Sequence, residues 1–88
     1  MPRISEFFGI VVYMYWFDVK RHKAPHIHVR FQNNWAIFDL KGNVLAGDIG
    51  KRANRLTKEF VNERSSELED AWSKAIKGAK LPWIKPIS

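Results

Sequence analysis

All three histidines of this 88-residue chain lie in the stretch "HKAPHIHVRF", His22 to Phe31, which also carries Lys23 and Arg30. Two histidines spaced two apart on a strand project from the same face with Cα atoms roughly 6.5–7 Å apart, so His26 and His28 can both reach one metal ion at about 2.0–2.1 Å. His22 supplies a third ligand if the loop Lys23-Ala24-Pro25 folds back. Pro25 supports that arrangement, because it fixes its own φ, biases Ala24 away from helix and so favours an extended His26. Asp39 is a fourth ligand, or a carboxylate behind the metal that orients His28. A set of imidazoles and one carboxylate suits zinc, manganese or iron, and an open coordination position would activate a water. There is no cysteine, which excludes thiolate zinc sites and disulfides.

The surrounding charges argue for a different ligand. Lys20, Arg21, Lys23 and Arg30 oppose a dication and favour an anion. Arg30 can grip phosphate with two hydrogen bonds, and protonated His26 or His28 can add to it. Acid–base catalysis of phosphodiester hydrolysis by His22, His26 or His28 without any metal, with Arg30 stabilising the transition state, is chemically coherent as well. The plainest alternative is structural: His28 pairs with Asp39 across two strands while His22 and His26 sit at the surface. Asp18 either ends the first strand as a turn former or points at the cluster. Trp35 beside Arg30 is placed to stack on a base or to fill an interface. Lys51, Arg52, Arg55 and Lys58 line the start of a helix, as a solvated face or as phosphate contacts.

Strands must hold these residues. "GIVVYMYWF" is apolar on both alternating faces, Ile10, Val12, Met14 and Trp16 against Val11, Tyr13, Tyr15 and Phe17, which predicts a strand covered on both sides. "HIHVRFQ" and "WAIFDL" flank Asn33-Asn34, residues that tolerate the left-handed conformations of a two-residue hairpin turn. That turn pairs Phe31 with Ala36, His28 with Asp39 and Ile27 with Leu40. It puts Ile27, Val29, Phe31, Ala36, Phe38 and Leu40 on one face, and His26, His28, Arg30, Gln32 and Asp39 on the other, exposed one. A further turn at Gly42-Asn43 leads to "VLAGDI", with Leu45 opposite Leu40. From Lys51 the apolar positions Ala53, Leu56, Phe60, Leu68, Ala71, Trp72, Ala75 and Ile76 recur at helical spacing. An unbroken helix to Lys77 would be roughly 40 Å long, so a break is expected, with Ser66 capping a second helix and Glu69 reaching back. Gly78 stops the helix, and Trp83, Ile84 and Ile87 pin the proline-rich tail. The class is α+β: an antiparallel meander of about four strands packed by one or two C-terminal helices.

A chain of 88 residues is expected to form one domain. Its net charge of +6 and pI near 9.9 favour acidic partners, nucleic acid above all. Aromatics make up 14% of the chain, more than a small interior readily hides, so a homo-oligomer or a covering partner is expected. No stretch is long and apolar enough for a signal peptide or a membrane span, and the expected location is the cytoplasm.

Five stretches, "MPRISEFFGIVVYMY", "HKAPHIH", "GDIGKRANRL", "ELEDAW" and "WIKPI", together resemble the small bacterial family called domain of unknown function 4160. The most specific part is His-x-x-Pro-His-x-His, here His22, Pro25, His26 and His28. In the family an acidic residue usually precedes the first histidine and two prolines precede the second; this chain has Arg21 and Ala24 there, so a carboxylate neighbour for a metal is missing. The resemblance implies a short protein encoded beside another small protein, an arrangement similar to toxin–antitoxin pairs or mobile gene cassettes, and hence a small protein partner. It implies no activity. Three functions stand: a binding or regulatory module using His26, His28, Arg30 and Trp35; a hydrolase of phosphodiesters with zinc, manganese or histidine alone; and a structural oligomer.

Overall fold

The computed structural model describes residues 2–15 and 24–87. The expectations placed on Trp16, Phe17, Asp18, Lys20, Arg21, His22 and Lys23 fall outside these residues. The described chain forms five strands, β1 (Arg3–Phe7), β2 (Ile10–Tyr13), β3 (His26–Phe31), β4 (Asn34–Asp39) and β5 (Val44–Gly47), followed by helices α1 (Lys51–Glu63) and α2 (Ser65–Ile76). The strands pair antiparallel in sequence order, so the sheet is a meander with β3 at its centre. The α+β class and the meander are as expected, with one strand more than the sequence pattern suggested.

The additional strand is β1. Its alternation is obscured because the register shifts between Arg3 and Ser5, which leaves Ile4 and Ser5 both buried. The turn that follows, Phe8-Gly9, has φ of 50° and 79°. A phenylalanine seldom adopts positive φ, so the pair does not read as a turn in the sequence.

The hairpin of β3 and β4 turns at Gln32-Asn33, with Gln32 at φ 57°, one position earlier than the Asn33-Asn34 turn predicts. The pairing becomes Phe31 with Asn34, Arg30 with Trp35, His28 with Ile37 and His26 with Asp39. Each β3 residue meets a partner two places earlier in β4 than expected. Because the side-chain period of a strand is two, that slip keeps the facial alternation and changes only the neighbours. Between β4 and β5 a bulge leaves Leu45 without a partner, 42% exposed instead of facing Leu40.

Ile10, Val12, Met14, Ile27, Val29, Ala36 and Phe38 line the sheet face on which the helices pack. Ala53, Leu56, Phe60, Leu68, Ala71, Trp72 and Ala75 form the helical side, as their spacing predicts, and the Phe7 and Phe60 rings meet at 4.8 Å. Ile76 departs from the stripe and is exposed. The two helices are separated only by Arg64, at φ −113° and ψ 24°. Hydrogen bonds from Arg64 N–H to Phe60 O and from Leu68 N–H to Arg64 O, both 2.9 Å, carry the ladder across the kink. The break is therefore where it is needed, but Ser66 is inside α2 and does not cap it. Arg64 Nε instead donates to Lys85 O at 2.8 Å and holds the C-terminal tail.

After Lys77 the helix closes with Gly78 N–H donating to Ala75 O and Ala79 N–H to Lys74 O, both 3.0 Å, the paired bonds of a Schellman stop. The tail then docks along β1: Ile84 N–H donates to Ile4 O at 2.8 Å, and the buried Ser5 hydroxyl donates to Ile84 O at 2.9 Å. Ile84 and Ile87 join the core while Trp83 stays exposed, so two of the three expected anchors serve.

Candidate functional site

The sheet face away from the core carries the candidate residues, and strand pairing fixes their order. One row across this face runs Glu6, Val11, Arg30, Trp35; the next runs Tyr13, His28, Ile37, Ala46. Arg30 and Trp35 stand opposite each other because of the observed register, and the Arg30 guanidinium carbon lies 6.0 Å from the indole centroid. That is within cation–π range, worth about 0.5–1 kcal/mol at an exposed site. Tyr13 supports the indole from the neighbouring row, with centroids 5.5 Å apart. Trp35 remains 43% exposed. Among the described residues no carboxylate pairs with Arg30.

His26 and His28 are not surface residues. His26 is 0% and His28 8% exposed, which corrects the expectation of an open imidazole face. His26 Nδ1 lies 2.8 Å from Ala24 O; a carbonyl can only accept, so Nδ1–H donates. The His26 ring packs against Trp72 of α2 at 5.0 Å and against His28 at 5.3 Å. His28 is stacked on Tyr15 at 4.4 Å, with the Tyr15 hydroxyl 3.5 Å from its Nδ1, at the outer limit of a hydrogen bond.

Asp39 does not stand opposite His28. Its strand partner is His26, and both carboxylate oxygens turn to the β4–β5 connection. Oδ1 accepts from Lys41 N–H and Asn43 N–H, each at 2.9 Å, and Oδ2 accepts from the Asn43 side-chain amide at 3.1 Å. Burial alone would raise the Asp39 pKa, but the Asn43 backbone and side-chain N–H groups, the Lys41 backbone N–H and the Lys41 charge together hold it below the ordinary carboxylate value. No three of His, Asp and Glu converge to hold a metal ion among the described residues, and His22 lies outside them.

The basic residues Lys51, Arg52 and Arg55 sit exposed on the first turns of α1, around a depression of about 400 Å³. The chain leading to α1 is tied to the β4 backbone, on the helix side of the sheet. Asp48 N–H donates to Trp35 O at 3.1 Å, and three residues of chain from Asp48 to Lys51 span at most about 11 Å. Nothing acidic stands in the first turn of α1.

Residues that the sequence pattern did not single out complete the face: Tyr13, Tyr15, Ala46 and Gly47. A pocket of about 330 Å³ lies over Ile37, Ala46 and Gly47, bordered by Trp35, His28 and Tyr15. Gly47 has φ 78°, and a Cβ there would lie 2.2 Å from Trp35 O. The Ala-Gly pair inside a strand is the available signal, since small residues in a strand mark a close backbone approach.

The family model described as "Domain of unknown function (DUF4160)" matches residues 9–73, most of the chain and all of the histidine stretch. The chain belongs to this family. The domain model so reaches from β2 into α2 and takes in the residues that β2 to β5 contribute to the aromatic face, while β1 and the tail that docks on it lie outside the match. No curated protein and no solved structure matches the chain significantly. No helix among the described residues is long and apolar enough to cross a membrane.

Proposed function

We propose that this DUF4160 protein is a binding module that engages nucleic acid through the β2–β3–β4 face. The observation that carries the reading is the guanidinium of Arg30, with no carboxylate partner among the described residues, against the half-exposed indole of Trp35, backed by Tyr13. An aromatic ring offers a sequence-tolerant stacking surface, and a cation at its edge meets the phosphate that accompanies every base. Lys51, Arg52 and Arg55 add a second exposed basic cluster at the start of α1, and the net charge of +6 supports attraction to a polyanion. The lack of cysteine suits a role in a reducing cytoplasm.

The test is fluorescence anisotropy with a labelled oligonucleotide across a salt series. Affinity is expected to fall steeply with salt, and Arg30→Ala to weaken binding and to reduce the salt slope by about one counterion. Binding that ignores salt, or no binding to any polyanion, refutes the reading. An acidic protein partner, as in a toxin–antitoxin-like pair, would use the same cations and would give salt-dependent binding to that protein with none to oligonucleotides. The hydrolase reading draws on one observation, the His26 Nδ1–H bond to a backbone carbonyl, a contact of the kind that fixes the ring orientation of catalytic or metal-bound imidazoles. Nuclease activity lost in His26→Ala would support it.

A further inference from the structure

The pocket beside Trp35 has a shape that the charge argument does not require. Its floor is made by Ile37, Ala46 and the backbone of Gly47, and its rim by the rings of Trp35 and of the stacked pair Tyr15 and His28. The depression exists because Ala46 and Gly47 place almost no side chain on β5 where larger residues would fill the space. At about 330 Å³ it lies at the small end of ligand pockets, matched to one ring system and not to an extended ligand. Trp35 belongs to one row of the face and Ile37 with His28 to the next. Rows on one face of a strand are roughly 6.8 Å apart, about two van der Waals contacts of 3.5 Å, which is the room one flat ring needs between two walls.

We infer that this pocket seats a single unpaired nucleobase, so that the face selects single-stranded over double-stranded nucleic acid. The inference rests on the nucleic-acid reading above and adds the element that distinguishes strands. In a duplex each base is stacked and paired, and its flat faces are unavailable; in a single strand a base can leave the stack and enter an aromatic slot. Arg30, with its guanidinium carbon 6.0 Å from the Trp35 ring centroid, is then at hand for the phosphate of the seated nucleotide or its neighbour. The largely apolar floor makes the recognition one of shape and stacking, with little discrimination among bases.

The test uses the full chain, the variant Ala46→Leu and two probes. Ala46 is exposed, so a leucine there fills the pocket without disturbing the core or any charge. A labelled single strand is expected to bind wild type about tenfold tighter than the same sequence as a duplex, and Ala46→Leu to abolish that preference while leaving the salt slope unchanged. The second probe is a free nucleoside, which carries no phosphate. Millimolar adenosine or uridine is expected to shift the Trp35 indole N–H resonance, assigned by its loss in Trp35→Phe, and to leave it unmoved in Ala46→Leu. If single strand and duplex bind alike and nucleosides leave Trp35 unmoved, the pocket proposal is overturned even though salt-dependent binding survives. If nucleosides shift Trp35 but no oligonucleotide binds, the pocket takes a free base and the nucleic-acid reading is the part that fails. A circular dichroism melt of Ala46→Leu within a few degrees of wild type guards against unfolding, and Trp35→Ala, which removes the other wall, must give the same loss of preference.

Discussion

Gly47 and Gly50 make a pair of substitutions whose difference isolates one physical effect. Both have backbone conformations that L-residues rarely adopt, φ 78° and φ 91°. Gly50, the residue before α1, has ψ 161°, a region essentially reserved for glycine, and alanine there costs about 1–3 kcal/mol in backbone strain. An added Cβ at Gly50 meets nothing within 4 Å, so strain is the whole cost. At Gly47 φ is positive as well, and the added Cβ would also lie 2.2 Å from Trp35 O and 2.9 Å from Ala36 Cα. Those are backbone atoms that cannot rotate aside, so β4 and β5 must separate, an overpacking cost of about 1–3 kcal/mol more. Gly47→Ala is therefore expected to be less stable than Gly50→Ala by about 2 kcal/mol, or roughly 8–16 °C in melting temperature for a domain of this size. The total stability of such a domain is about 4–13 kcal/mol, so Gly47→Ala removes a large share of it. Urea titration of wild type and both variants at pH 7 measures the three values. Equal destabilisation by the two variants would falsify the claim that contact with the Trp35 backbone sets the position of β5.

Asp39→Ala should lose about 1–2 kcal/mol at pH 7 through the hydrogen bonds from Lys41 and Asn43. Because the folded Asp39 pKa lies below its ordinary value of 3.8, that stability is present above pH 3.8 and disappears as pH falls through the lower folded value; denaturant titrations of wild type and variant should converge on acidification. Ser5→Ala, which removes a buried hydroxyl and leaves Ile84 O without that donor, is expected to cost about 1 kcal/mol and to speed hydrogen exchange at the Ile84 amide more than at amides of β3.

The hairpin shows how legible this fold is. Alternation in "HIHVRFQ" and "WAIFDL" is enough to assign faces, because any slip that preserves burial is a slip of two residues. Alternation says nothing about which of two such registers forms, and the choice between Asn33-Asn34 and Gln32-Asn33 decides whether Asp39 or Ile37 stands beside His28. The apparent His28–Asp39 pair was a consequence of that choice. Burial of His26 was illegible for a related reason: it depends on Trp72 reaching the first residue of β3, a contact across 46 positions of sequence. In the helices the stripe is legible almost throughout, since the 3.6-residue period is local. The break at Arg64 has no side-chain cap to announce it, and the bond from Arg64 to Lys85 O joins positions 21 apart in sequence.

The two ends of the sheet are not equivalent. At β1 the chain's own C-terminal segment donates Ile84 N–H to Ile4 O, so that border is closed from within. At β5, beyond the bulge at Leu45, no strand of the described residues follows. A sheet sealed on one border can be lengthened only from the other. Two copies joined through β5 would leave the β1 borders outermost, where the tail already occupies Ile4 O and hinders the addition of a further strand.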